Sequence, residues 1–557
     1  MTGTEELRQK LSNGLTLIHK SSFLPSQKLW ILQHLLIPRI QWPLMIYEVS
    51  SSVAYSLEQT VSKYIRLWLK LPKIMTSISF YSKKSPCTLP IKSITSIYKA
   101  SKISGQLLLR DSKDPLISSP SGSSGTKKRL TDKEILHSPK DPLIPSSLPS
   151  LKTGKWNLHR SIYQAEEQIK LNKIIGPKQL GRSGFSSRNE SLIPPKNSHS
   201  YRHLISSTAS TFDEEKHLAD AVQLHVQGQW TRWSNYVQSN ITWKNLLATP
   251  TNFISFCLKA TYDTLPTPSN LKRWHISPEA SCQLRSKQLC TTAHILGACP
   301  LSLSQGRFTW RHNSILKALA DILATFLENI DPVKPTKFHK IPFVKASSRV
   351  NTTKRTHTGI LHLASDWILL VDLVTPLIFP PHIAITELRP DVVLYSNSLK
   401  RVILVELTSP CEENMEYWHD YKVNHYSPLA RLVRSNGWSC DVFPIEVGAR
   451  GYCSRSVLST LRRLGFSNKI SNKCVKDLGL ISSKSSFVIW LARTSKEWSP
   501  DLDCTIPSFK KGKFKQPPSK IKPSLLHTND KKVSTKKRGS FPSKIVNVKA
   551  LSFKRCR

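Results

Sequence analysis

Two short apolar runs separated by a polar turn constrain the fold of this chain more than any other feature. The runs Val392–Tyr395 and Val402–Glu406 are rich in Val, Ile and Leu, and Ser396-Asn397-Ser398 lies between them. Runs of this composition on either side of a turn are typical of adjacent strands in a buried sheet. With a further apolar run at Asp441–Val447, the region predicts a small core sheet with helices packed around it.

Two carboxylates flank this predicted hairpin. Asp391 follows Pro390 and opens the first strand, while Glu406 closes the second, with fourteen residues between the two acids. A hairpin brings such positions together at one end of the sheet. Paired carboxylates can bind Mg²⁺, and the bound ion generates hydroxide and stabilises phosphoryl charge. The pattern predicts Asp391 and Glu406 as Mg²⁺ ligands of a nuclease-like site.

A nuclease of this plan uses a lysine to orient or activate the attacking water. In the commonest arrangement the lysine lies two residues after the second carboxylate, but Thr408 occupies that position. The helix predicted from about Glu412 offers another candidate, because its apolar stripe consists of Met415, Trp418, Lys422, Leu429 and Val433. A charge on an apolar face is costly unless it meets an anion, and the two carboxylates are such partners for Lys422. The alternative is a lysine at the edge of the stripe that extends to solvent.

Two further positions bear on this site. Pro428 is expected to interrupt the helix six residues after Lys422. Glu446, near the end of the third predicted strand, is an additional candidate for reaching the metal.

Four potential zinc ligands lie close together upstream of the predicted sheet. They follow the pattern C-x7-C-x3-H-x4-C and consist of Cys282, Cys290, His294 and Cys299. A tetrahedral Zn²⁺ site usually includes a close pair of cysteines, but Arg285 occupies the position three after the first cysteine. Either Cys290 supplies the missing ligand or these are buried structural thiols. We therefore expect less than one equivalent of bound zinc.

The charge of the chain favours a polyanionic partner, most simply nucleic acid. Lysine and arginine number 81 against 37 acidic residues, which gives a formal net charge of +44. The segment Lys510–Arg557 holds sixteen basic residues and one acid, and its prolines predict a disordered tail that binds phosphates. Candidates for such contacts are Lys536, Lys537 and Arg538. The alternative is a charge that serves solubility or a tail under no selection.

Composition sets three further expectations. Residues 112–212 are of low complexity and repeat KDPLI at Lys113–Ile117 and Lys140–Ile144, which predicts a linker. Eleven cysteines in 557 residues are too few for a disulfide scaffold and indicate a reducing compartment. We find no run of about 18 apolar residues, so no membrane partner is expected.

The first dense region, 1–111, is helical in pattern. One apolar stripe consists of Val53, Leu57, Val61, Tyr64 and Trp68, and Pro72 follows the predicted helix. The run Leu29–Leu36 predicts another helix that ends at Pro38. Basic residues on the other faces of the longer helix are candidates for nucleic-acid contacts: Lys63, Arg66 and Lys70. The alternative is an ordinary helical packing unit.

Three stretches of the sequence resemble one family of mobile elements. The runs TELRPDVVLYSNSLKRVILVELTSPCEENMEYWHDYKVNHY and NGWSCDVFPIEVGARGY resemble the restriction-like endonuclease of early-branching non-LTR (LINE-type) retrotransposons. Upstream, KATYDTLPTPSNLKRW and SCQLRSKQLCTTAHILGAC resemble the linker motif and zinc knuckle that precede that nuclease. Further upstream, LWILQHLLIPRIQWPLMIYEV with VSKYIRLWLKLP resembles the polymerase thumb. The resemblance covers the three dense regions in the family's order.

The resemblance implies an α+β multidomain chain. Its expected parts are a helical reverse-transcriptase thumb-like segment at 1–111, a disordered low-complexity linker at 112–212, a Trp-rich region with a degenerate zinc knuckle at 213–330, an α/β PD-(D/E)XK restriction-like endonuclease domain at 345–495 and a basic disordered tail at 508–557. In this family the nuclease lysine has moved onto the following helix, which matches Lys422, with Asp391 and Glu406 as the metal carboxylates.

The implied activity is nicking of target DNA, followed by reverse transcription primed from the exposed end. The implied partners are the DNA target and the element RNA, with no small-molecule substrate, and the implied location is intracellular, in the nucleus when active. Two departures matter. Since no polymerase palm or YxDD-type acid pair is found, no reverse transcriptase activity is expected from this chain alone. Arg285 stands where the family has a zinc cysteine, which puts Zn²⁺ in doubt.

Two alternatives to a working nuclease remain. One is a catalytically inactive nucleic-acid-binding remnant that uses the basic surface and tail, with binding that depends strongly on salt. The other is a chain that does not fold as a unit, because its thumb-like segment lacks the palm against which it packs.

Overall fold

The computed structural model of the chain covers most of the three dense regions. The described residues are 3–47, 49–110, 211, 213–284, 289–330, 359–373 and 376–498. The predicted linker, apart from Thr211, and the whole basic tail lie outside them.

The N-terminal region is a layer of helices around a leucine-rich core. Its helices are α1 (Gly3–Lys20), α2 (Pro25–Ile31), α3 (Ile37–Ile46), α4 (Ser51–Trp68), α5 (Ile78–Tyr81) and α6 (Ile94–Arg110). Helix α4 begins where the hydroxyl of Ser50 accepts a hydrogen bond from Val53 N–H, a standard N-cap. Leu57, Val61 and Trp68 are buried along one side of α4, as the apolar stripe predicts.

The predicted helix end at Pro38 is wrong. A π-helical turn, Leu32–Leu36, joins α2 to α3, and Pro38 lies in the first turn of α3. The backbone stays helical through this turn: Leu36 and Ile37 keep right-handed helical angles, and the N–H of Ile37 donates to the carbonyl oxygen of Leu32. The helix therefore runs through Pro38 instead of ending there.

Residues 213–330 pack against both neighbouring regions. The main elements are α7 (213–223), α8 (Trp243–Ala248), α9 (Thr251–Thr261), α10 (Pro268–Arg273), a π-helical turn (His294–Ala298), α11 (Pro300–Ser304) and α12 (Arg307–Glu328). Trp230 and Tyr262 belong to the core of the N-terminal helices. Ile315 and Leu319 of α12 instead share a core with the sheet.

The sheet has four strands in the order β1-β2-β3-β4. These are β1 (Ile368–Val371), β2 (Val392–Ser396), β3 (Arg401–Thr408) and β4 (Ser439–Glu446). Strands β1, β2 and β3 pair antiparallel, whereas β4 pairs parallel to β3. Helix α13 (Met415–Ser435) makes the crossover that a parallel pair requires, and α14 (Arg455–Leu464) and α15 (Asn468–Leu491) follow β4. The predicted hairpin and third strand are therefore present.

Side chains of the central strands alternate between two cores. Val392 and Val405 face α12, α14 and α15, whereas Val393 and Leu404 face α13. Because both faces are covered, the strands are apolar throughout, which explains the continuous runs in the sequence. The described chain is thus a mixed α+β protein with many helices and a small sheet. Within the described ranges, no helix combines the length and the apolar character needed to cross a bilayer.

Candidate active site and metal cluster

Asp391 and Glu406 meet at one end of the β2–β3 hairpin. Val392 pairs with Val405, so the residue before β2 lies beside the carboxylate that follows Val405 in β3. The backbone N–H of Asp391 donates to Oε2 of Glu406 over 3.1 Å, and the N–H of Leu407 donates to Oδ2 of Asp391 over 2.8 Å. The backbone itself therefore fixes both acids.

The two acids lie close enough that the charge of one disfavours ionisation of the other, and a cation between them would offset this. Glu406 is only 3% exposed. Burial, together with the nearby charge of Asp391, raises the pKa of Glu406 to about 7, although Lys422 opposes the rise. Two oxygen ligands of like charge at one sheet edge match the preference of Mg²⁺ for carboxylates. These residues fit a divalent ion.

Lys422 reaches this acid pair from α13. Its Nζ lies 2.5 Å from Oε1 of Glu406, and its side chain is 20% exposed, so it does not extend into solvent. The hydroxyl of Tyr426, one turn further along, donates to the carbonyl oxygen of Arg389 over 3.1 Å and ties the helix to the chain before β2. The expected interruption at Pro428 is wrong, because α13 continues to Ser435 with the proline on its exposed side.

His312 is part of the site and was missed by the sequence analysis. Its Nε2 lies 3.4 Å from Oδ2 of Asp391 and 3.1 Å from the carbonyl oxygen of Leu407. Burial disfavours the charged ring, but the hydrogen bond and charge of Asp391 outweigh this effect and raise the pKa of His312 to about 9. The available signal was its position three residues before Ile315, on the apolar face of α12.

Glu446 contacts His419 and Ser456, and not Asp391 or Glu406. Its Oε1 lies 2.8 Å from Nδ1 of His419, and its Oε2 accepts a hydrogen bond of 2.7 Å from the hydroxyl of Ser456. The carboxylate is almost fully buried at the end of β4. Both oxygens are therefore engaged within the protein.

A second cluster of ligand-type side chains lies in the middle region. Cys282, His294 and Cys299 are buried, and their ligand atoms lie within 4.8 Å of one another. Nε2 of His294 has no hydrogen-bond partner among the described residues, and burial lowers the pKa of the ring, which favours the neutral form that binds metals. Burial opposes ionisation of Cys299, but hydrogen bonds from Ser302 outweigh it and lower the pKa of the thiol. This cluster could hold a metal ion.

Cys290 stands beside this cluster. It is buried and lines the same pocket, but it does not belong to the group whose ligand atoms meet. Burial, reinforced by nearby Cys282, raises the pKa of the Cys290 thiol to about 12. Arg285 lies outside the described residues. The structure therefore brings together three of the four predicted zinc ligands.

The predicted nucleic-acid contacts differ in their surroundings. Lys63 and Lys70 are exposed. Arg66 instead donates two hydrogen bonds, of 2.9 and 2.7 Å, to the carbonyl oxygen of Met75, and its guanidinium lies over the ring of Phe80. These contacts occupy Arg66 inside the helical layer. The predicted contacts in the basic tail, which lie outside the described residues, are Lys536, Lys537 and Arg538.

In comparisons with known proteins, no family model and no curated protein matches the chain.

Proposed function

We propose that the chain is a Mg²⁺-dependent DNA endonuclease of the PD-(D/E)XK type, from the C-terminal part of a non-LTR retrotransposon polyprotein. The observation that carries the proposal is the approach of Lys422 Nζ to within 2.5 Å of Glu406 beside Asp391. Two acids from a hairpin and a lysine from the next helix form the set that the resemblance implies. Target DNA and element RNA are the partners in this proposal.

Each side chain has a separate task in this proposal. Asp391 and Glu406 would hold Mg²⁺, which when bound supplies an activated water and stabilises phosphoryl charge. The N–H of Leu407 and the ring of His312 fix Asp391. Lys422 balances the charge of Glu406 and lies where its ammonium group could orient the attacking water or the phosphate. Tyr426 keeps α13 in place for that role.

The cysteine cluster completes the proposal as a weak Zn²⁺ site in the knuckle region. Its supporting observation is the meeting of Cys282, His294 and Cys299 around an unpaired, buried nitrogen. Structural zinc sites normally have four protein ligands. Since three such ligands meet among the described residues, less than one equivalent of bound zinc remains our expectation.

The test is nicking of a supercoiled plasmid by the full chain with Mg²⁺, beside Lys422→Ala and Arg431→Ala. Arg431 is exposed on the same helix, so its loss removes an equal charge without touching the acid pair. We expect nicking by the wild type and by Arg431→Ala, and a loss of at least about 100-fold in Lys422→Ala. Absence of nicking by a folded wild type with Mg²⁺ would overturn the proposal.

An inactive nucleic-acid-binding remnant is the competing function, and the formal net charge of +44 favours it. It predicts tight binding without cleavage, and truncation after residue 506 should reduce both the affinity and its dependence on salt. DNA binding by the full and truncated chains across a salt series measures this directly.

A further inference from the structure

Two pairs of acidic and basic side chains lie on the same face of the sheet. In the parallel pair β3–β4, Glu406 is opposite Pro444 and Thr408 is opposite Glu446. Since side chains two residues apart share a face, Glu406 and Glu446 project from neighbouring strands towards the same side. Helix α13 lies over that side, and it carries Lys422 to Glu406 and His419 to Glu446.

His419 and Lys422 are neighbours on α13. Residues three apart on a helix have Cβ atoms about 5–6 Å from each other. The imidazole of His419 therefore stands about one turn from the ammonium group that contacts the acid pair. Its side chain is 39% exposed, whereas Glu446 beneath it is 2% exposed.

A buried carboxylate fixes the orientation of this imidazole. Oε1 of Glu446 lies 2.8 Å from Nδ1 of His419, and the hydroxyl of Ser456 donates a hydrogen bond of 2.7 Å to Oε2 of the same carboxylate. With Nδ1 committed, Nε2 is the ring nitrogen available for chemistry. An imidazole held by a carboxylate through one nitrogen is the usual arrangement of a histidine that transfers protons through the other.

We propose that His419 is the general acid of the nicking reaction, with Nε2 donating a proton to the leaving 3′ oxygen of the DNA strand. This inference rests on the proposed endonuclease function. It assigns α13 two tasks, since Lys422 serves the attacking side of the phosphate and His419 serves the leaving side.

The step balances as a hydrolysis. Water attacks phosphorus and gives one proton to solvent as the new O–P bond forms. The bond between phosphorus and the 3′ oxygen breaks, and that oxygen takes the proton from Nε2 of His419. The products are a 5′ phosphate and a 3′ hydroxyl, and His419 regains its proton from solvent.

The surroundings of His419 favour the protonated ring. The hydrogen bond that His419 donates to Glu446 raises the pKa of the imidazole, and the charges of Glu446 and Asp420 act in the same direction against partial burial. Glu446 belongs to β4, and Asp420 to the same helix as His419.

The test separates protonation of the leaving group from the rest of catalysis. The scissile bond is first mapped, and a duplex is then made with sulfur in place of the bridging 3′ oxygen at that bond. A thiolate leaves without protonation, so a general acid becomes dispensable. We expect the full chain with His419→Ala to nick the ordinary duplex about 100-fold more slowly than the wild type, and the sulfur-bridged duplex within about threefold of the wild type on the same substrate. His225→Ala, at an exposed histidine far along the chain, is the control with normal rates on both.

Equal losses on both substrates, or no loss on either, would overturn the assignment of His419 while leaving the endonuclease intact. Failure of the wild type to nick at all would instead overturn the function on which the assignment rests. A readout that does not depend on activity is the titration of His419 by NMR in metal-free protein with labelled histidine. We expect Glu446→Gln to lower the pKa of His419, and an unchanged pKa would show that Glu446 does not support the charged ring.

Discussion

Single side chains decide whether the cysteine cluster holds a metal. Three ligand atoms meet, while the thiol of Cys290 remains beside them with a raised pKa. We expect the purified chain to contain less than one equivalent of zinc, and Cys282→Ser to abolish what is bound, because loss of one of three ligands leaves too few. Metal analysis of the full chain and of the Cys282→Ser and Cys290→Ser variants measures the bound zinc. One tightly held zinc that is lost in Cys290→Ser would establish Cys290 as the fourth ligand and contradict the expectation.

At this scale the sequence identified the residue whose charge broke its local pattern most clearly. Lys422 was visible as a charge on an apolar stripe, and the structure places it on Glu406. His312 was not visible, because a histidine on an amphipathic helix is unremarkable until the partner strand is known. Its contact with Asp391 joins residues separated by a long stretch of chain, and no short-range pattern encodes such a contact.

Among the secondary structure elements, the β2–β3 turn depends on one acid. Asp366 accepts hydrogen bonds of 2.6 Å from the hydroxyls of Ser396 and Ser398 and one of 2.8 Å from Ser398 N–H. These bonds lower its pKa to about 2. A depressed pKa means that the stabilisation is complete above the unfolded value of about 3.9 and is lost as the pH falls towards 2. We expect Asp366→Asn to lower Tm at neutral pH, with the gap from the wild type narrowing below about pH 4, as thermal melts across pH would show. A gap independent of pH would contradict this.

A buried arginine joins the loop after β4 to the middle region. Nη1 of Arg450 lies 2.8 Å from both Glu412 and Glu413, and its Nε donates to the carbonyl oxygen of Ala260 over 3.0 Å. Removal of one partner from a buried ion pair leaves the other charge uncompensated, so Arg450→Ala should reduce the free energy of unfolding by about 3–5 kcal/mol. Urea denaturation measures it, with exposed Arg455→Ala expected to stay within about 0.5 kcal/mol. A similar small change in both variants would show that the ion pair contributes little.

Strands were predicted better than helix ends. The hairpin has strong local signals, namely β-branched runs and a polar turn, and these agree with the packing on both faces. The helix breaks predicted at Pro38 and Pro428 are wrong, whereas α4 ends at Trp68, before Pro72, as predicted. Pro38 and Pro428 both lie on the exposed sides of their helices, where packing of the apolar face compensates for the missing N–H.

For the whole molecule, the sheet core extends beyond the segment 345–495 that the sequence marked as a nuclease. Helix α12 contributes Ile315, Leu316, Leu319 and Leu323 to that core, and it carries His312. We expect a fragment of residues 345–498 to melt without a cooperative transition, because loss of several buried side chains of this size costs about 2–5 kcal/mol each. A fragment of residues 300–498 should melt cooperatively. Thermal unfolding of both fragments followed by circular dichroism tests this prediction. A cooperative transition in the fragment of residues 345–498 would contradict the shared core.

The parallel pairing of β3 and β4 also has a consequence for the order in which a nascent chain becomes reactive. The hairpin of β2 and β3 joins neighbours in sequence and can form as soon as both strands have left the ribosome. Lys422 and His419 take their places only when α13 has crossed over and β4 has docked beside β3. An incomplete translation product that ends before β4 would contain both acids, Lys422 and His419, but not the strand against which α13 packs, so under the proposed function an unfinished chain would not yet have an assembled site.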